Sequence, residues 1–245
     1  MTEPPETTPS SPPPARTIRI DGPAGAIEAL YRPPRPEPAE GPRPEPAEGP
    51  RPESAESPAR SPSSPRAALL CHPHPLFGGT MHNRVIFQFE KAFAATGRAT
   101  LRMNFRGAGA SEGAHDEGRG ETDDVRAAAD ALAGFVPGAA IDVLGYSFGC
   151  WVSWRALGDD PRTATLTGVG VPLRTADFAF ARDLRGPITI VQGEEDEYGD
   201  GAAVRALAAS FPVPPRLFML EGADHLFTRG YERLLAVIPD VVAGL

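Results

Sequence analysis

From Ala67 to the C-terminus, short apolar runs alternate with stretches of helical period, and that alternation constrains the fold more than any other feature. It predicts strands near 67–71, 99–105, 141–146, 165–171, 187–192 and 216–221, and helices near 83–96, 121–134, 149–158, 201–210 and 226–243. The strands are largely continuous in apolar character. Strands of that kind are buried on both faces, so the pattern implies an α/β architecture: a mostly parallel sheet with helices on either side. Ahead of it, Thr17 to Ile20 and Ala26 to Tyr31 alternate loosely around Asp21-Gly22-Pro23, which predicts an antiparallel hairpin at the sheet edge. In open sheets of this type, chemistry collects at the carboxyl ends of the strands.

Three residues at those ends form a chemically coherent set. Ile141-Asp142-Val143-Leu144 runs into Gly145-Tyr146-Ser147-Phe148-Gly149, with helix-compatible residues from Cys150 to Leu157. A strand, a Gly-x-Ser-x-Gly turn and a helix together make a nucleophile elbow, in which a strained turn holds the serine hydroxyl out from the sheet. Ile188-Thr189-Ile190-Val191 leads into Gln192-Gly193-Glu194-Glu195-Asp196, and Leu217-Phe218-Met219-Leu220 into Glu221-Gly222-Ala223-Asp224-His225. The order serine, acid, histidine suits Ser147 as nucleophile, His225 as base and Asp196 as the group that orients it. Glu195 and Asp200 are the alternative acids. Asp224 is expected to cap the following helix. Trp151 and Trp154 are expected in the core.

The loop after the first apolar strand reads His72-Pro73-His74-Pro75-Leu76-Phe77-Gly78-Gly79-Thr80-Met81-His82-Asn83. Acyl transfer needs N–H donors for a developing oxyanion, one after the nucleophile and one from such a loop. Phe148 supplies the first. Proline has no N–H, so His74, Leu76 or Phe77 supplies the second, and His74 is preferred. His72, His74 and His82 could also suggest a metal, but alternate residues at a strand end face opposite ways and no acid or cysteine joins them. No metal or cofactor is expected. Asn104 to Gly113 lacks the third glycine of a dinucleotide loop and reads as a tight turn tied down by Arg106 and Ser111.

Composition limits the rest. Residues 1–14 hold six prolines, and 33–65 hold twelve with nothing apolar larger than alanine. Neither can offset its ordering entropy, so a disordered tail at 1–14 and a disordered insertion at 33–65 are expected, interrupting a single domain over 15–245. The insertion carries an eight-residue repeat, Arg35-Pro36-Glu37-Pro38-Ala39-Glu40-Gly41-Pro42, copied from Arg43 and degraded from Arg51. A net charge of −8 without a basic stripe argues against nucleic acid. No stretch is long enough for a membrane span, no signal peptide is expected, and a cytoplasmic location follows by default. Cys71 and Cys150 read as buried free thiols.

The motifs His72 to Met81, Asn104 to Gly107, Gly145 to Gly149, Gly193 to Asp196 and Gly222 to His225 resemble the α/β-hydrolase superfamily. They look most like its small lidless bacterial hydrolases, related to the dienelactone hydrolase and X-Pro dipeptidyl-peptidase-like groups. The resemblance implies the same nucleophile, acid and base, Ser147, Asp196 and His225. Lids in this superfamily often follow the strand before Pro172; Pro172 to Gly186 leaves no room for one, so an open site is expected. The reading is a serine hydrolase cleaving small or extended esters or thioesters of a small-molecule acyl substrate. An amide or peptide hydrolase shares the same chemistry, and a non-catalytic binding protein shares the same fold. Arg174, Arg182 and Arg185 could meet an anionic substrate, or simply form a solvated face.

Overall fold

The structure, a computed structural model, describes residues 11–36, 65–184 and 186–245. The expected disorder at 1–14 and 33–65, with its repeat, falls largely outside the described residues. Eight strands form one sheet in the order β1-β2-β4-β3-β5-β6-β7-β8. The N-terminal hairpin, β1 (Arg16–Gly22) and β2 (Gly25–Arg32), is antiparallel and joins the sheet by antiparallel pairing of β2 with β4 (Ala99–Met103). From there β3 (Arg66–Cys71), β5 (Ala140–Tyr146), β6 (Thr163–Val169), β7 (Ile188–Gly193) and β8 (Arg216–Leu220) run parallel.

Period-two alternation along the buried strands sorts the core into two faces. Leu69, Ile141, Val143 and Ile190 pack with α2 (Arg119–Phe135), α3 (Phe148–Leu157) and α4 (Gly201–Ser210) through Val125, Leu132, Trp154 and Val204. Leu70, Leu144, Val169 and Val191 pack with α1 (Arg84–Ala95) and α5 (Tyr231–Ala243) through Val85, Phe89, Phe93, Leu234 and Ile238. Phe89 and Phe93 recur at helical spacing and are fully buried, each contributing roughly 1.5–3 kcal/mol of burial. Cys71 and Cys150 are buried free thiols, and burial raises the pKa of both.

One core residue is unlike its surroundings. Asp142, in the middle of apolar β5, is fully buried. It accepts from Arg66 and from Thr165 Oγ1 (2.8 Å) and pairs with Arg98 Nε at 2.9 Å. A buried carboxylate persists only with such partners, because removing one strands the others in a medium that does not solvate charge. These contacts fasten the amino ends of β3, β4 and β5. The chain leaves β2 at that same amino edge, where Arg35 N–H donates to Gly97 O (3.0 Å) at the turn from α1 into β4.

Several boundaries differ from expectation. The strand expected over 99–105 ends at Met103, because Asn104 and Phe105 turn away on hydrogen bonds to Glu28 O and His72 Nε2. The last helix begins at Tyr231 rather than 226. Phe227 (φ 50°) and Gly230 (φ 78°) are left-handed there, so no helix can run through them. Among the described residues no helix is long and apolar enough to cross a membrane.

Candidate active site

Ser147 lies between the last residue of β5 and the first of α3 with φ 54° and ψ −121°, a conformation that costs a non-glycine residue of order 1–3 kcal/mol. The neighbouring glycines make the turn possible. A Cβ on Gly145 would stand 2.3 Å from Cys150 N, and one on Gly149 would stand 2.4 Å from Cys71 O. Ser147 N–H donates to Val169 O (2.8 Å) and its carbonyl accepts from Cys150 N–H (2.9 Å), which pins the strained turn from both sides.

Ser147 Oγ stands 2.8 Å from His225 Nε2, and His225 Nδ1 stands 2.8 Å from Asp196 Oδ2. All three side chains are buried. Tyr146 OH donates to His225 O (2.7 Å), and Glu197 Oε2 accepts from His225 N–H (3.3 Å), so His225 is held through its backbone as well as its ring. Burial pushes the Tyr146 phenol above its usual pKa, as does nearby Asp196, which keeps it a neutral donor. Asp196 Oδ1 accepts from Tyr198 N–H (2.8 Å) and Gly199 N–H (3.1 Å), and its Oδ2 from Gln192 Nε2 (2.8 Å). The other acids nearby are engaged elsewhere. Glu194 pairs with Arg205 and Glu195 with Arg229, while Asp200 caps α4 through Ala203 N–H. Gln192 escaped sequence reading, since a glutamine at the end of a buried strand carries no motif.

The loop after β3 carries the other expected residues. His74 φ is −54°, and its carbonyl accepts from Phe77 and Gly79 N–H in a single 3-10 turn, Pro75–Phe77. Leu76 N–H is taken by His74 Nδ1 (3.3 Å). Of His74, Leu76 and Phe77, only His74 keeps its N–H without an acceptor among the described residues. Phe148 N–H, at the first turn of α3, is likewise unengaged, as the opening amides of a helix are. The His74 and Phe148 rings meet at 4.7 Å between centroids. Burial and neighbouring His115 lower the His74 pKa, against an opposing pull from Glu121.

His72 plays a different part. Its Nε2 accepts from Phe105 N–H (3.1 Å), joining the end of β3 to the end of β4, and its Nδ1 stands 2.6 Å from the carbonyl of the adjacent Pro73, so both nitrogens are engaged. Burial pushes its pKa down from 6.5 to about 4. Below the ordinary value the unfolded chain takes up a proton that the folded one refuses, so stability falls as pH drops from 6.5 towards 4. Urea unfolding at pH 7 and pH 4.5 should show a loss about 2 kcal/mol smaller in His72→Gln than in the parent. Equal losses in both proteins would remove His72 from the account.

The loop 104–113 is tied as expected. Asp124 accepts from Arg106 Nε (3.0 Å) and Nη2 (2.7 Å), and Ser111 Oγ donates to Asn104 O (2.8 Å). Two other expectations need correction. Asp224 Oδ1 accepts from Thr228 and Arg229 N–H, so it closes the turn that precedes α5 and not the helix itself. Trp154 is core, but Trp151 lines the cleft and donates from Nε1 to Asp177 O (2.9 Å).

Ser147 and His225 open into a cleft of about 520 Å³, walled by His74, Phe77, Phe148, Trp151, Tyr198 and Leu226. The stretch after β6 forms only a short 3-10 turn, Ala179–Asp183, so among the described residues no inserted lid covers the opening. Arg174 pairs with Asp200 (3.4 Å), and neither Arg174 nor Arg182 lines the cleft; Arg185 lies outside the described residues. The charged residues that do line it, Glu117 and Glu197, are acidic.

Comparison with known proteins places this geometry. An uncharacterised protein of Rickettsia prowazekii (strain Madrid E) is 34% identical over 191 residues, spanning 74% of this chain and 80% of the relative. A lidless α/β serine hydrolase of Xanthomonas campestris superposes with a TM-score of 0.75 at 28% identity, over 94% of each chain. The chain belongs to the α/β-hydrolase superfamily. An α/β serine hydrolase homologue of Coxiella burnetii gives 0.76 at 29% identity, over 94% of this chain and 97% of that one. No family model matches the chain. The Xanthomonas protein is described as an α/β serine hydrolase and the Coxiella protein as a homologue of one, which supports a hydrolase here.

Proposed function

We propose that the protein is a serine hydrolase that cleaves esters or thioesters through an acyl-enzyme. The observation that carries this reading is the hydrogen-bonded line Ser147 Oγ, His225, Asp196, 2.8 Å at each link, on a strained elbow at the mouth of an open cleft. Ser147 Oγ attacks the acyl carbonyl while His225 Nε2 takes its proton. Negative charge on the carbonyl oxygen is met by His74 N–H and Phe148 N–H. Collapse expels the alcohol or thiol, which leaves with the proton from His225. Water then enters, gives a proton to His225 and attacks the acyl-serine; the acid departs and Ser147 recovers its proton. Asp196 keeps Nδ1 protonated throughout, so Nε2 is free to act as base.

The direct test is intact-mass analysis after exposure to a fluorophosphonate. One adduct, mapped to Ser147, supports an activated serine. No adduct on well-folded protein would leave a binding protein on the same fold as the better account.

The oxyanion assignment has its own test. His74 already has the φ that proline requires, so His74→Pro deletes the N–H with little change in chain path. It should lower kcat by about 10²–10³, the usual cost of one oxyanion donor. His74→Ala, which loses the same side chain but keeps the N–H, should stay within about tenfold of the parent. Equal losses in the two variants would assign the second donor elsewhere.

A further inference from the structure

Large apolar side chains at the surface are concentrated around the cleft. Three of the seven exposed ones among the described residues line it, Phe77 (85% exposed), Leu226 (59%) and Tyr198 (41%), and a fourth, Leu76 (67%), directly precedes Phe77 in the chain. None is there by accident of a frayed end. Leu76 and Phe77 are fixed by the 3-10 turn on His74, and Phe77 packs its ring against His74 at 4.8 Å. Leu226 is held through its carbonyl by Arg84 Nη2 (3.1 Å), which ties it to the start of α1. Between Phe77 and Asn83 the cleft flank is formed by Gly78 and Gly79, and a Cβ on Gly78 would meet nothing within 4 Å. The flank is therefore a shallow apolar trough running out from the nucleophile.

Maintaining such side chains in water is unfavourable unless something covers them. Charge narrows the choice of occupant. Among the described residues no lysine or arginine lines the cleft, and Glu117 and Glu197 do, so an anionic headgroup or phosphate-bearing carrier is disfavoured. Nearby Arg229 is paired with Glu195, and Arg174 with Asp200. A neutral aliphatic chain needs no charged partner. The cleft of about 520 Å³ has room for the reacting group and an aliphatic chain laid along the side walled by Phe77 and Leu226.

We propose that the substrate is a neutral ester with a medium-length aliphatic acyl chain, whose distal carbons lie on the rim formed by Phe77 and Leu226. This rests on the serine hydrolase reading above. The rim does by fixed contact what a lid does by closure: the substrate's own chain supplies the apolar cover over the reacting carbonyl.

The test measures kcat/KM for monomeric 4-nitrophenyl esters from acetate to octanoate. A fully buried methylene is worth about fourfold and a half-covered one about twofold, so octanoate should exceed acetate by at least tenfold. In Phe77→Ser/Leu226→Ser that ratio should fall to within about threefold; a ratio cancels any loss common to all esters. A ratio that the double variant leaves unchanged overturns the proposal. So does an unchanged ratio accompanied by lost binding to zwitterionic phosphatidylcholine vesicles, which would make the rim a membrane contact. Fluorophosphonate labelling of Ser147 separates the two readings. Labelling with a flat chain-length profile sinks the rim alone, and absence of both labelling and hydrolysis sinks the hydrolase with it.

Discussion

Ser147→Ala will fold like the parent and lose about 10⁵–10⁶ in kcat on any ester the parent cleaves. The folding half follows from the backbone. Alanine meets the same penalty at φ 54° as serine does, and the hydrogen bonds that pin the turn are made by main-chain atoms. The kinetic half follows because His225 has no hydroxyl to deprotonate once Ser147 Oγ is gone, so only binding and oxyanion stabilisation remain. Circular dichroism and thermal unfolding check the fold, and initial rates check the loss. A variant retaining more than about one percent of parent activity would be incompatible with an acyl-serine.

Asp196→Asn should cost about 10⁴ in kcat while leaving Ser147 and His225 in place, the loss expected when the base is held in the wrong tautomer. The local hydrogen bonds dictate the direction. Tyr198 and Gly199 N–H both point at Oδ1, so the asparagine carbonyl oxygen takes that side. Its NH₂ then faces His225 Nδ1, which must give up its proton and become the acceptor. The proton moves to Nε2, the nitrogen that has to receive one from Ser147. Nitrogen NMR of the imidazole reads the tautomer directly. A variant that keeps Nδ1 protonated and stays within tenfold of the parent would mean that Asp196 does not set the base.

The parallel sheet, its hairpin and the tight strand-to-helix turn at Ser147 were legible because each rests on local sequence: apolar continuity, and glycine at a crowded turn. The helix over 201–210 is found where its period put it. Failures came where long-range contacts override local pattern. Asp142 reads as an interruption of an apolar strand, and only the folded chain brings it to Arg66, Arg98 and Thr165. In the acid-rich stretch Glu194 to Glu197, order along the chain favoured Asp196 but left Glu195 open as an alternative. Burial and a buried glutamine, Gln192, single out Asp196, while its neighbours take arginine partners at the surface. His115 also went unremarked, although it lines the cleft with Nδ1 2.7 Å from the buried carboxylate of Glu121. Nothing in their spacing announces that pair, because the left-handed Glu117 and Gly118 between them reverse the chain.

The departure of the chain from β2 at the amino edge of the sheet has an evolutionary consequence. Pro36, the second residue of the repeat, and Pro65, which immediately precedes β3, bracket the undescribed segment and lie near strand ends opposite the edge that holds Ser147 and His225. Length can be gained or lost between them without moving a reacting atom. The two edges are thus separate heritable traits, one bound by chemistry and the other free to lengthen by copying short blocks, as the eight-residue repeat begun at Arg35 records.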